Sequence, residues 1–194
     1  MSTRSLPNII ITGTPGCGKT SHAALLAQQL SQLKHISISE YAKENNCIDG
    51  HDQVRDSDIV DEDKLLDALE PELEKGGVIV DWHVCEVFPE RLIDLVIVLR
   101  CDNSILFSRL SKRGYKENKI QENLDVEIMD ILIQEARDSY KSEVVIELRS
   151  DDVDQIEENV ARISQWVEMW QKDHPEGVSN EFQPGSDDED SDDE

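Results

Sequence analysis

Short apolar runs alternate with longer amphipathic stretches from the start of the chain to about residue 173. Five runs have the length of strands, at residues 8–12, 34–38, 78–80, 95–99 and 144–148. The runs at 78–80 and 95–99 contain no polar residue, which is typical of strands buried on both faces of a sheet. The pattern therefore predicts a parallel sheet.

The stretches between these runs place apolar residues three and four positions apart, which predicts helices. The expected helices cover residues 20–33, 40–46, 65–73, 102–112, 120–140 and 153–170, and the fifth is a single long helix. Ser39 is the expected N-cap of the second. Residues 47–60 predict a loop or mobile flap, and residues 88–92 a surface connection. Strands that alternate with helices predict an α/β fold, a three-layer sandwich around a five-stranded parallel sheet.

The chain is acidic along its whole length. Its formal net charge is −24, and about −17 remains without the last nine residues. Because proteins bind polyanions through cations that displace counterions, this charge argues against direct nucleic-acid binding and favours a basic protein partner. One domain is expected over residues 1–175, followed by a disordered acidic tail over 176–194.

The tail contains two serines, Ser186 and Ser191, each followed by Asp-Asp-Glu. This context suits an acidophilic kinase, and a solvated tail that only aids solubility is the alternative.

The cysteines and the apolar runs indicate the cellular compartment in which the protein is expected. The four cysteines lie far apart and form no CxxC pair, which argues against a zinc site and a secreted disulfide framework. The first residues lack the apolar region of a signal peptide, and no run reaches the eighteen or so apolar residues of a membrane span. We expect a soluble intracellular protein with no membrane partner.

Residues 13–20 read GTPGCGKT, the phosphate-binding loop pattern (P-loop), between the first predicted strand and the first predicted helix. Its glycines let backbone N–H groups face the phosphates of a nucleotide at the positive end of the helix. Lys19 supplies a cation for the β- and γ-phosphates, and Thr20 a hydroxyl for Mg²⁺. The residues expected to contact ATP here are Gly13, Pro15, Gly16, Cys17, Gly18, Lys19, Thr20 and Ser21.

Asp81 directly follows the apolar run at residues 78–80, so it should lie at the carboxyl edge of the sheet, where open α/β sheets bind ligands. There it is expected to hold a water of Mg²⁺; capping the next loop is the alternative. His83 lies two residues further on. It is expected either to touch the γ-phosphate or orient a water, or to have a structural role.

Arg109 and Arg113 are one helical turn apart and should share a face. They are expected to contact the triphosphate opposite Lys19 or to stack on the base, and ion pairs with nearby acids are the alternative. Cys17 is interpreted as a small filler within the loop. A redox role is the alternative, because a helix N-terminus would lower the pKa of its thiol.

Together these residues resemble the adenylate kinase isoenzyme 6 family, also called the coilin-interacting nuclear ATPases, within the nucleoside monophosphate kinases. The likeness covers residues 8 to about 173. It is carried by the segments GTPGCGKT, DEDKLLDAL, VIVDWH, FPERLIDLVIVLR and RLSKRGYKENKIQEN. The Asp-aromatic-His triplet and the RGY segment are its most family-specific parts.

The resemblance implies an ATP:AMP phosphotransferase that also hydrolyses ATP, with Arg113 as a nucleotide contact. Together with the residues above, it leads us to expect Mg²⁺ as cofactor and Lys19, Asp81, His83 and Arg113 in catalytic roles. It implies a monophosphate-binding region at about 37–60 and a short lid at about 112–122. It also implies a part in maturation of the small ribosomal subunit within pre-ribosomal particles, through a basic ribosomal protein of the platform. Nuclear and cytoplasmic locations follow from the same likeness.

The sequence departs from ordinary adenylate kinases at the arginines that surround the transferred phosphoryl group. The predicted monophosphate helix holds only Lys43, and Arg137 is the sole arginine between Gly114 and Arg149. Fewer arginines stabilise a transferring phosphoryl group less well, which makes water a credible acceptor. Two hypotheses remain open: a metabolic AMP kinase, and an assembly factor timed by ATP hydrolysis.

Overall fold

A computed structural model describes residues 2–54 and 57–181. Its strands are β1 (Thr3–Arg4), β2 (Ile9–Gly13), β3 (Lys34–Ser37), β4 (Ile48–Asp52), β5 (Ser57–Val60), β6 (Val78–Asp81), β7 (Leu95–Arg100), β8 (Val145–Arg149) and β9 (Val178–Ser179). Its α-helices are α1 (Lys19–Gln29), α2 (Ile38–Glu44), α3 (Glu62–Lys75), α4 (Asn103–Lys112), α5 (Glu117–Ile128), α6 (Ile131–Ser139) and α7 (Val153–Asp173). None of these helices combines the length and the apolar character that crossing a membrane requires.

Five parallel strands form the central sheet in the order β3-β6-β2-β7-β8. Alternate residues of β2 point to opposite faces: Ile10 packs in one apolar cluster, and Ile9 and Ile11 pack in the other. The first cluster is completed by α2, α3 and α6, and the second by α1, α4, α5 and α7. Helices cover both faces, so the predicted three-layer α/β sandwich with a five-stranded parallel sheet is confirmed.

The long helix predicted over residues 120–140 is wrong, because two helices occupy this stretch. α5 and α6 are separated at Met129 and Asp130, and Asp130 has a φ of 56°, in the left-handed region. The break has a packing reason: Ile120 of α5 belongs to one apolar cluster and Ile133 of α6 to the other. The chain therefore passes from one face of the sheet to the other, which a continuous helix cannot do.

The loop or mobile flap predicted over residues 47–60 contains regular structure, since β4 and β5 pair there as an antiparallel hairpin. The preceding helix α2 begins at Ile38, one residue before the predicted cap Ser39. Its N-cap is Ser37, whose side chain makes no capping hydrogen bond. We call α2 together with this hairpin the flap.

Residues 88–92 do not form the predicted surface connection. Phe88 and Leu92 are buried in the apolar cluster, and a short 3₁₀ helix spans Glu90–Leu92. Apolar side chains in a connection between strands are here part of the core.

The folded chain extends past the boundary predicted at residue 175. β9 pairs antiparallel with β1, and the buried Asn180 accepts a hydrogen bond from Arg4 Nη1 at 2.8 Å. Arg4 also forms a 2.7 Å ion pair with Asp94. Residues 176–181 are thus part of the domain. The rest of the predicted acidic tail, with Ser186 and Ser191, lies outside the described residues.

Candidate active site

The predicted P-loop connects β2 to α1, as expected, and its glycines adopt conformations that other residues rarely reach. Gly13 has a φ of 151°, and a Cβ there would lie 2.8 Å from the carbonyl oxygen of Leu99 on β7. Gly16 has a φ of 96°, and a Cβ there would lie 2.9 Å from Leu106 of α4. The loop is therefore packed tightly against the sheet and α4.

Lys19 begins α1, and its side chain folds back over the loop. Its Nζ donates a hydrogen bond to the carbonyl of Gly13 at 2.8 Å. Burial lowers the pKa of the Lys19 ammonium below its ordinary value; the Asp81 carboxylate opposes this shift and the Arg113 guanidinium adds to it. Lys19, Asp81 and Arg113 thus lie close enough to interact electrostatically.

Thr20 and Asp81 meet beside the loop. The Thr20 hydroxyl donates to Asp81 Oδ2 at 2.7 Å, and Asp81 is only 5% exposed. A hydroxyl and a carboxylate next to a P-loop are the hard oxygen ligands that Mg²⁺ prefers. These two residues fit the ion expected with the nucleotide.

His35 is a neighbour of Asp81 that the sequence did not indicate. Its Nε2 lies 3.1 Å from Asp81 Oδ2, and the two residues come from the adjacent strands β3 and β6. No motif marks His35, because only the pairing of the two strands brings its ring to the carboxylate.

His83 lies on the cavity wall, next to Trp82, whose ring it meets edge-on at 5.4 Å. The surrounding atoms desolvate its ring and lower its pKa, the nearby Lys19 ammonium acts in the same direction, and Glu86 opposes both. The imidazole is therefore mainly neutral at pH 7, the form that can accept a proton.

The two arginines predicted to share a role occupy different places. Arg109 donates to the carbonyls of Ser150 and Asp151, each at 2.8 Å, and to the carbonyl of Gly16 at 3.2 Å. It thereby ties the P-loop to the connection between β8 and α7. Arg113 is exposed at the end of α4 and lines the cavity. The N–H donors of Arg109 are thus engaged by protein carbonyls. Stacking of its guanidinium on a nucleotide base stays a prediction.

Cys17 is fully buried, with Cys101 in the same apolar cluster. The prediction that the helix N-terminus lowers the pKa of its thiol is wrong: a hydrogen bond with Cys101 and burial raise that pKa. A buried thiol with a raised pKa fits the interpretation of Cys17 as a filler.

A cavity of about 1020 Å³ opens beside the P-loop. Among the residues predicted to contact ATP or act in catalysis, Gly13, Cys17 and Arg109 do not line it. Those that line it are Pro15, Gly16, Gly18, Lys19, Thr20, Ser21, Asp81, His83 and Arg113. The structure thus brings most of the predicted site together around one space.

The far walls of the cavity come from the segments predicted as monophosphate-binding region and lid. The flap contributes Ser39 and Ser57. The predicted lid, residues 112–122, consists of the end of α4, a turn and the first half of α5. It contributes Arg113, Tyr115 and Lys119, whose Nζ lies 4.7 Å from the centre of the Tyr115 ring.

Carboxylates also face the cavity, which the sequence did not indicate. Glu122 and Asp125 of α5 line it, and so do Glu86 and Glu135. Burial raises the pKa of Glu135 above its ordinary value, and the negative charge of Glu86 adds to that shift. This side of the cavity therefore disfavours further negative charge.

Comparisons with known proteins agree with the site. Residues 9–130 match the AAA domain family. The chain is 58% identical to adenylate kinase isoenzyme 6 homolog FAP7 of Saccharomyces cerevisiae, over 96% of this chain and 95% of that protein. The chain belongs to the adenylate kinase isoenzyme 6 family. It is also 61% identical to the homolog HBR1 of Candida albicans, over 94% of this chain and 77% of that protein.

Solved structures support the fold. The YorR protein of Bacillus subtilis, solved in complex with phosphorylated GDP, superimposes with a TM-score of 0.55 at 19% identity. The alignment covers 85% of this chain and 98% of YorR. Membership of the family identifies the protein as a nucleotide kinase of the P-loop class, which implies nucleotide binding at the loop described above.

Proposed function

We propose that the protein transfers the γ-phosphoryl group of ATP to AMP and also hydrolyses ATP. The observation that carries this proposal is the 2.7 Å contact of Thr20 with Asp81, beside Lys19 in the same cavity. The cavity extends from the P-loop to the flap, and its volume of about 1020 Å³ leaves room for an acceptor beside a donor.

The residues of this chain divide the work of an in-line transfer. The P-loop N–H groups and Lys19 would hold the donor phosphates, and Thr20 and Asp81 would hold Mg²⁺. Mg²⁺, when bound, would neutralise charge that develops on the phosphates during transfer. The bond between the γ-phosphorus and ADP breaks as a bond to an AMP phosphate oxygen or to water forms. Arg113 reaches the same space and would stabilise the transferred group.

His83 is suited to assist the group that attacks the γ-phosphorus. Its imidazole lies on the cavity wall, where desolvation and, to a smaller extent, the Lys19 ammonium lower its pKa and keep it neutral. When water attacks, a neutral ring can orient it and accept its proton. When AMP attacks, its phosphate oxygen carries no proton, so His83 contributes less.

The flap side of the cavity, where the acceptor would bind, is compatible with hydrolysis of ATP as well as with transfer to AMP. Around the described cavity the cationic side chains are Lys19, Arg113 and Lys119, which belong to the P-loop and the lid segment. Lys43 of the flap is bound to Asp58 at 3.0 Å. With Lys43 paired, the flap presents Ser39 and Ser57 to the cavity, so water can serve as an acceptor beside AMP.

We further propose that the protein acts, in nucleus and cytoplasm, as an assembly factor for the small ribosomal subunit. Its partner would be a basic ribosomal protein of the platform within a pre-ribosomal particle. The net charge of −24 supports such a partner, because opposite charge accelerates and orients association.

One experiment tests these activities together. ADP formation is measured with Mg²⁺ and ATP alone, then with AMP added, and then with the purified basic ribosomal protein. We expect slow ADP formation with ATP alone, a faster rate with AMP, and a rate that the basic protein changes. Absence of any effect of AMP would refute the kinase proposal, and absence of any effect of the protein would refute the assembly proposal.

A further inference from the structure

Glu127 is a buried carboxylate on α5 that has no part in the proposed chemistry. Its side chain is 5% exposed, and it does not line the cavity. An ionised carboxylate is costly to bury unless donors surround both of its oxygens. The donors that surround Glu127 indicate what it does.

Each oxygen of Glu127 holds a different part of the molecule. Oε2 accepts a hydrogen bond from the hydroxyl of Thr14, within the P-loop, at 2.7 Å. Oε1 accepts from Arg100 Nε at 2.8 Å and from the backbone N–H of Cys101 at 3.1 Å, at the end of β7. One carboxylate therefore joins the P-loop, the central sheet and α5.

Arg100 fixes the same end of α5 a second time. Its Nη2 donates to the backbone carbonyl of Glu127 at 2.9 Å and to Asp130 Oδ1 at 2.5 Å. α5 also lines the cavity along much of its length, with Lys119, Glu122, Asn123, Asp125 and Val126. α5 is thus anchored beside the P-loop through Glu127 and exposed to the ligand space along another part of its surface.

Thr14 is the point where this anchor acts on the loop. The residue is fully buried, and its carbonyl accepts a hydrogen bond from the N–H of Cys17 at 3.0 Å, which closes the turn of the loop. The Thr14 hydroxyl has one proton to donate, and Glu127 accepts it. The rotamer of Thr14, and with it the start of the loop, is therefore set by a residue of α5.

We propose that Glu127 is a positioning residue that holds the P-loop, through Thr14, in the shape that receives nucleotide phosphates. By the same contacts it couples the shape of the loop to the position of α5. The inference rests on the proposed function, since it concerns how tightly that site binds ATP, and it assigns Glu127 no contact with the nucleotide.

The test is a double-mutant cycle on nucleotide affinity, with the variants Thr14→Val, Glu127→Gln and the two combined. Binding of N-methylanthraniloyl-ATP with Mg²⁺ is titrated by fluorescence, well below the melting temperature of every variant. Thr14→Val keeps the shape of the side chain and removes the donor. We expect each single variant to bind about tenfold more weakly, or about 1.4 kcal/mol, and the double variant no more weakly than the weaker single one.

Two comparisons separate positioning from a loss of stability. Thr14→Ser restores the hydroxyl and should recover most of the affinity that Thr14→Val loses. Asn180→Ala removes buried hydrogen bonds to Arg4 and to the carbonyl of Glu74, beside the β1–β9 pair. It should lower the melting temperature without changing the affinity.

The outcomes are distinct. Variants that melt earlier but bind the probe with wild-type affinity would overturn the inference and leave the proposed function standing. So would losses that add fully in the double variant, because the two residues would then act independently. A wild-type protein that binds no probe would refute the proposed function itself.

Discussion

The P-loop and the flap line the same cavity, but a buried carboxylate holds the first, whereas the ion pairs of the second are exposed. In the loop, Gly13 fits against the backbone of Leu99, and Thr14 is bound by the buried Glu127. In the flap, Asp58 binds Lys43 and His51, each at 3.0 Å, and all three side chains are about a third or more exposed.

This difference indicates how rigid the P-loop end and the flap end of the cavity are before a ligand binds. Hydrogen bonds to buried charges stabilise one arrangement strongly, whereas ion pairs between exposed side chains contribute little. The donor end should therefore be preorganised before ATP arrives. The flap can exchange its ion pairs when an acceptor enters.

Removal of Lys19 should have the largest effect at the donor end. We expect Lys19→Ala to lower ATP turnover about 100-fold or more, because a cation placed at the transferred phosphates is lost. The fold should remain, because an ammonium whose pKa burial lowers is costly to keep charged, and its removal gives up one hydrogen bond to Gly13. Turnover is measured as ADP formation and folding by thermal melting. Lys116→Ala, an exposed lysine outside the cavity lining, is the matched control; full turnover by Lys19→Ala would contradict the site.

His83 tests whether the middle of the cavity acts on the reaction or only shapes it. We expect His83→Ala to lower ATP hydrolysis about 10- to 100-fold while nucleotide affinity changes much less, because a neutral ring that orients water acts during the chemical step. Hydrolysis is followed as ADP formation and affinity by fluorescence titration. Equal losses in the two measurements would make His83 a structural residue.

A substitution in the flap should change the KM for AMP and leave the KM for ATP unchanged. Asp58→Asn removes the partner of Lys43, which lies one helical turn after the cavity residue Ser39 and on the same face of α2. We expect the KM for AMP to fall about threefold, because the freed ammonium can bind a phosphate, with the KM for ATP unchanged. Steady-state kinetics against each nucleotide measure both.

The matched control for the flap is Glu72→Gln. It breaks exposed ion pairs with Lys34 and Lys75, outside the cavity lining. If this variant shifts the KM for AMP as much as Asp58→Asn does, the flap has no specific role.

The smallest expected effect concerns the support beneath the P-loop. His22 is fully buried: its Nδ1 lies 2.7 Å from the carbonyl of Gly18, and its Nε2 lies 3.2 Å from Asn159 Nδ2. Burial lowers the pKa of His22 below its ordinary value of 6.5. The unfolded chain therefore binds this proton more readily, and stability should fall as the pH drops through about 6.5.

The measurement compares wild type with His22→Gln by denaturant unfolding between pH 7.5 and 5.5. The free energy of unfolding should fall with decreasing pH more steeply for wild type than for His22→Gln, by up to about 1.4 kcal/mol per pH unit. His174→Gln, directly after the end of α7, controls for the removal of a histidine elsewhere in the protein. Identical slopes for wild type and His22→Gln would show that His22 is not the titrating group.

Local pattern was sufficient for the central sheet and the P-loop. Apolar runs located all five parallel strands, and the motif located Lys19 and Thr20, because each signal lies within a few consecutive residues. The break between α5 and α6 left no such signal: the apolar repeat continues through Met129, and only the crossing between two faces of the sheet interrupts the helix.

The site shows the same division. Asp81 could be predicted from the strand before it, whereas His35 reaches it only through the pairing of β3 with β6. Glu127 left a partial signal, since it lies on the buried stripe of its helix, seven residues after the buried Ile120. A carboxylate at an apolar position indicates a buried partner, but the sequence does not identify that partner as Thr14.

The sequence by itself determined the fold class, the P-loop and the family, because short-range patterns and motifs encode them. The tertiary structure decided the rest. It separated Arg109, whose donors bind protein carbonyls, from Arg113, which faces the cavity. It paired Lys43 with Asp58 in the flap and placed Glu127 against Thr14. These contacts join residues that are distant in the chain, and only the packing of strands and helices brings them within hydrogen-bond distance.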